Sequence, residues 1–291
     1  MTNWNNATPF NTYNGHIADQ GAHWTSAEIS ALGGSGSSSL SPTNYSAVAT
    51  SVTNLRLTPV GLDGYCRIPV TAGVAGDIEA VEITAFLDCD ITVSDAGGLH
   101  SSYTESATQG YDVYLIAKDD GTKNLIMVEA GDVPVTDWAL PTGYTKYSQP
   151  LHFAINLGGN LLSKVPTYCT STGRRYSYYT AKRMLVSLAS GTTPTELDCS
   201  LYVPWWANYF YAGIRLRLST ANIRFFRIGH TSSPDLCAEF GAIDNVYPTY
   251  THNTKLPIAG KTGTYPASIW YSWNGSGTVA EGTIFCRGWT T

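Results

Sequence analysis

Charge is scarce in this chain. Asp, Glu, Lys and Arg make up 13% of its 291 residues, against about 25% in an average globular protein. With 17 Lys and Arg against 22 Asp and Glu, the formal net charge is −5 and the pI is near 5.6. The basic footprint of a nucleic-acid groove is therefore missing. Arg174-Arg175 with Lys182-Arg183, and the pair Arg215/Arg217, are too sparse to supply one and read as solvated strand faces. Long apolar runs are missing as well. None approaches the ~20 residues that span a bilayer as a helix, so no membrane span is expected. The stretch Met1 to Asn14 has neither a basic n-region nor an apolar h-region, and no signal peptide is expected.

Reaction motifs are equally thin. The six cysteines (Cys66, Cys89, Cys169, Cys199, Cys237 and Cys286) form no CxxC and are widely and irregularly spaced, against a zinc or redox motif. Most sit in apparent strands such as Phe86-Leu87-Asp88-Cys89-Asp90-Ile91, where a thiol behaves as a small hydrophobe. The even count leaves late disulfides open. His16, His23, His100, His152, His230 and His252 show no metal-ligand spacing. There is no GxSxG elbow and no HExxH, and Gly33-Gly34-Ser35-Gly36-Ser37 lacks both a following strand and the lysine that cradling a phosphate requires. Asp88 with Asp90, and Glu79 with Glu82, are the paired carboxylates that glycoside cleavage would use. Asp88 and Asp90 also share one side of a strand, as a cation site would need, although solvated strand-end carboxylates have the same pattern. The expectation is a protein without catalytic residues, cofactor or metal.

What is abundant is material for sheets. Hydrophobic residues make up 43% of the chain, enough for one large β domain or two small ones. The strand Ile214-Arg215-Leu216-Arg217-Leu218 alternates strictly, and Val81-Glu82-Ile83-Thr84-Ala85-Phe86 is similar. Tyr111-Asp112-Val113-Tyr114-Leu115-Ile116-Ala117 runs into Asp120-Gly121, a strong hairpin signal, with Leu125 to Val128 as the return strand. Further strands are predicted at 52–58, 65–70, 151–157, 183–189, 197–203, 222–228, 236–243, 267–273 and 279–286. Strands without intervening helices imply an all-β fold of antiparallel sheets, a β-sandwich or jelly-roll-like body. No fixed-period repeat suggests a propeller or solenoid.

The N-terminal stretch differs. Thr25-Ser26-Ala27-Glu28 reads as a capping box opening a short helix over 25–32, which Gly33-Gly34 ends. The Gly/Ser-rich residues that follow read as a flexible linker. The predicted organisation is a segment 1–34 with a short helix, a linker 35–43 and a β body 44–291 of one or two subdomains.

Aromatic residues cluster in Tyr176-Ser177-Tyr178-Tyr179, Trp205 to Tyr211, Tyr247-Pro248-Thr249-Tyr250 and Trp270-Tyr271-Ser272-Trp273. Such rings stack on sugars, anchor protein interfaces, or pack between sheets. Trp205-Trp206 after Pro204 breaks alternation and puts large rings on both sides of the chain. Trp205, Trp206, Tyr209, Trp270 and Trp273 are the candidate receptor or glycan contacts, with core packing as the competing reading.

Two segments carry a family resemblance. His16-Ile17-Ala18-Asp19-Gln20-Gly21-Ala22-His23-Trp24-Thr25-Ser26-Ala27-Glu28 resembles a stretch near the start of distal modules in phage and prophage tail-fibre and minor structural proteins. The segment from Tyr111 to Leu151, with its hairpin Tyr111 to Thr122 followed by Leu140-Pro141-Thr142-Gly143-Tyr144-Thr145-Lys146-Tyr147, resembles a β-domain recurrent in phage tail-fibre and virion proteins. Together they cover about a fifth of the chain, and Ser148-Gln149-Pro150 departs from the basic continuation usual in that family. The resemblance implies a virion structural protein, made in the host cytoplasm and displayed on the particle. It would be a tail fibre or tail-tip appendage involved in host attachment. It also implies homotrimers, with His16, His23, Trp24 and Glu28 in a segment that docks to other phage structural proteins. A head or collar decoration protein shares these features. A polysaccharide depolymerase and a cellular carbohydrate-binding module are the remaining alternatives.

Overall fold

The computed structural model describes residues 45–60, 64–72, 77–159, 161, 167–170, 173–186, 192–218, 223–233, 238–243, 250–257, 265, 267–275 and 279–290. The chain divides into two compact units, Met1–Leu40 and Ser41–Thr291. The described residues all belong to the second. The expected helix over 25–32, the linker 35–43 and the attachment residues His16, His23, Trp24 and Glu28 lie outside them.

The described chain is all-β, with no helix among the described residues. Strand β1 (Tyr45–Ala49) turns into β2 (Asn54–Pro59), and the Ser51 hydroxyl accepts the Thr53 and Asn54 amides to fix the turn. After β3 (Cys66–Ala72) and β4 (Asp77–Ile83) come β5 (Leu87–Ser94) and the short β6 (Gly98–Leu99). β7 (Thr108–Ala117) and β8 (Lys123–Glu129) follow as a hairpin. Along the other edge of β7 lie β9 (Lys146–Ser148) and β10 (His152–Leu157). β11 (Thr167–Thr170) pairs with β1 and carries the same sheet into β12 (Gly173–Val186). Next in the chain are β13 (Thr195–Asp198), β14 (Tyr209–Leu218), β15 (Ile223–Gly229), β16 (Ala238–Ile243), β17 (Tyr250–Pro257), β18 (Ser268–Gly275) and β19 (Val279–Thr290).

Fifteen strands form one continuous sheet, in the order β17-β14-β19-β12-β11-β1-β2-β5-β6-β8-β7-β9-β3-β4 with β10 added to β7. A second sheet of four runs β13-β18-β15-β16, all antiparallel. Pairing is antiparallel throughout except at β6, which lies parallel to β5 and β8.

Three cores follow from side-chain alternation. In the N-terminal lobe (45–161), β1, β2 and β3 bury every second residue: Tyr45, Ala47, Leu55, Leu57, Cys66, Ile68 and Val70 join one cluster. The β7–β8 hairpin is buried on both faces. Val113, Leu115, Leu125 and Met127 enter that first core, while Tyr114, Ile116, Ile126 and Val128 form a smaller one under Trp138. In the C-terminal lobe (167–290) the third core joins the two sheets. Phe210, Ile214, Leu216, Ile284 and Trp289 come from the large sheet, and Leu197, Phe226, Ile228, Ile269, Tyr271 and Trp273 from the small one.

The predicted hairpin turn forms. Lys118 and Thr122 close it (Lys118 N to Thr122 O, 2.9 Å), and Gly121 takes the left-handed φ of +87° that a side chain resists. The turn Pro141 to Tyr144, with Gly143 at φ +84°, leads into β9. Two predicted strands are corrected. The strand predicted at 197–203 ends at Asp198, because the Asp198 carboxylate accepts the Ser200 amide at 2.8 Å and the Cys199 carbonyl takes the amides of both Tyr202 and Val203. The alternation of Val81 to Phe86 stops at Ile83. Phe86 lies 53% exposed beneath the Arg56 guanidinium.

Cys66, Cys89, Cys199 and Cys286 are buried thiols, none in a disulfide. Burial pushes the Cys286 thiol up to about 12 and raises Cys89 and Cys199 well above the ordinary range.

Candidate functional site

Among the described residues Asp112, in the middle of β7, is a carboxylate with 0% exposure. It lies opposite Phe153 of β10 and Val128 of β8. Its carboxylate is met by the tight turn Pro204 to Ala207 of the other lobe, closed by the Ala207 amide on the Pro204 carbonyl at 3.1 Å. The Trp205 indole donates to Oδ2 at 2.8 Å and the Trp206 indole to Oδ1 at 2.7 Å. The Gly131 amide adds a third bond to Oδ2 at 3.1 Å. A buried carboxylate is tolerable only when donors replace its hydration, and these three N–H groups are among the partners that do so here.

Packing completes this seam. The Trp206 ring meets Trp289 edge-on, with centroids 4.7 Å apart. On β10, Phe153 and Ile155 join the C-terminal core while Ala154 points into the N-terminal one, so one strand serves both lobes. Gly110 stands where a side chain has no room: a Cβ there would lie 2.5 Å from the Phe153 ring and 2.9 Å from the Ser200 carbonyl.

The five aromatic candidates therefore do not converge on one site. Trp205 and Trp206 are half-buried and direct their polar edges inward to Asp112. Tyr209, 40% exposed at the start of β14, lies under the Lys255 ammonium at 3.9 Å. Trp273 is corrected. At 1% exposure, against Phe226, it belongs to the core and offers no surface. Trp270 alone lies on the outer face of the small sheet, half-buried between the core residues Ile269 and Tyr271.

That outer face reads in rows across the register. Phe225 faces Asn274, Arg227 faces Ser272, and Gly229 faces Trp270, which has Glu196 on its other side. Phe225 is 38% exposed, and Arg227 forms an ion pair with Glu239 of β16 at 2.5 Å.

The paired carboxylates serve as structural anions. Asp88 forms a two-bond fork with Arg56 at 2.7 and 2.8 Å, and hydrogen bonding to that guanidinium holds its carboxyl below the usual range. Asp90 accepts the Thr92 amide and hydroxyl. Glu79 pairs with Lys146 and Glu82 with Arg67. Among the described residues no cluster of His, Cys, Asp and Glu is placed to hold a metal ion. His152 is fully buried, and desolvation pushes its imidazole down to about 3. His100 binds the Ala139 carbonyl through Nε2 and accepts the Ser102 amide at Nδ1, a pattern that fits the neutral ring.

The chain matches no known family model and no curated protein sequence.

Asp112 was not singled out by the sequence reading, although one charge inside an otherwise apolar strand was the available signal.

Proposed function

We propose that this chain is a structural protein of a bacteriophage particle, an appendage of the tail fibre or tail tip that meets the host surface. Two local resemblances support the reading: the stretch from His16 to Glu28, and the Tyr111–Thr122 hairpin with its Leu140–Tyr144 turn. In this reading the body is a layered β-sandwich, copies assemble as a homotrimer, and residues 1–34 dock to other particle proteins.

The observation that carries the proposal is the seam at Asp112. A carboxylate gripped by both indoles of Trp205-Trp206 ties the C-terminal lobe to a central strand of the N-terminal lobe. An appendage has to hold its host-facing surface in fixed relation to the particle. A buried, fully bonded polar clasp between lobes suits that task better than a linker.

The test is location. Antibody labelling of particles by electron microscopy is expected to mark the tail fibre or tip. Label on the head or collar, or on no part of the particle, overturns the reading. Purified protein is further expected to compete with particles for host adsorption. A variant lacking residues 1–34 should fold and fail to join particles. A native mass measurement is expected to give three copies.

A further inference from the structure

We draw no further inference here: the strongest candidate, the edge of the fifteen-stranded sheet at β4 with Ile78 and Ala80 exposed along it, carries none because nothing in the structure shows what covers it.

Discussion

The β7–β8 hairpin and the β15–β18 pair are built from strands of similar length and put their two faces to different use. β7 and β8 are covered on both sides, by the first core through Val113, Leu115 and Met127 and by the second through Tyr114, Ile116 and Ile126. β15 and β18 send Phe226, Ile228, Ile269, Tyr271 and Trp273 into one core, while among the described side chains of the opposite parity only Phe225 and Asn274 are exposed, Arg227 and Trp270 are half-buried, and Ser268 and Ser272 are buried. A strand covered twice answers only to packing, so its sequence becomes an apolar run. A strand covered once has a face whose composition packing does not fix.

The first way to break this comparison is to strain the architecture of the N-terminal lobe. At Gly98 an added Cβ would lie 2.0 Å from the Val93 carbonyl oxygen and 2.7 Å from that of Asp90, both backbone atoms in the crowded β5–β6 connection. No side chain is there to move aside. Gly98→Ala is expected to cost about 5 kcal/mol or to abolish folding. Urea unfolding that shows a loss below about 1 kcal/mol would refute that crowding.

Next in size is the clasp. Asp112→Ala strands two indole N–H groups and the Gly131 amide in a buried seam, and is expected to cost about 4 kcal/mol. Asp112→Asn keeps one acceptor and should cost less. In calorimetry the wild type is expected to melt in one transition and Asp112→Ala in two, since the two lobes lose their shared polar tie. A single transition lowered as a whole would mean that the β1–β11 pairing of the continuous sheet and the packing of Phe153 and Ile155 couple the lobes without the clasp.

Smaller still is a pH effect confined to the N-terminal lobe. Burial holds His152 neutral, its pKa near 3 against an ordinary value of 6.5. Folding therefore excludes a proton that the unfolded chain binds. The stability is intact above about 6.5 and is lost progressively as pH falls toward 3, by about 2 kcal/mol at pH 5. Replacing the imidazole in His152→Gln should flatten the urea midpoint between pH 7 and pH 5. A wild-type midpoint that does not move over that range contradicts the assignment.

The same comparison explains what was legible in the sequence. The hairpin at Asp120-Gly121 is readable because turn chemistry is local, and β15 and β18 fall on the strands predicted at 222–228 and 267–273, where Ile, Phe, Trp and Tyr are concentrated. β17, with Tyr250-Thr251-His252-Asn253-Thr254, was not predicted: its pairing with β14 is a property of the fold that its polar composition does not display. The same holds for the first half of β12, rich in Arg and Tyr and paired along both edges. Trp270 and Trp273 were grouped as one surface although an odd separation puts them on opposite faces of a strand, so parity alone was enough to separate them. Trp205 and Trp206 were read as a break in a strand. They stand in a turn, and their partner Asp112 is over ninety residues away, beyond any local signal.

The finest test asks whether the outer face is maintained by stability at all. Ile126→Ala, in the twice-covered hairpin, should cost about 3 kcal/mol by the usual penalty for emptying a packed site. Phe225→Ala removes a ring of greater volume but one that is 38% exposed and on the outer face, so its cost should stay near 0.5 kcal/mol. Trp270→Ala, half-buried beside Gly229, should fall between them and nearer the lower value. If urea unfolding places Phe225→Ala level with Ile126→Ala, the ring belongs to the architecture, and the two strand pairs no longer differ in kind. If its cost is as small as expected, folding gives no reason to keep a large apolar ring in water at that position.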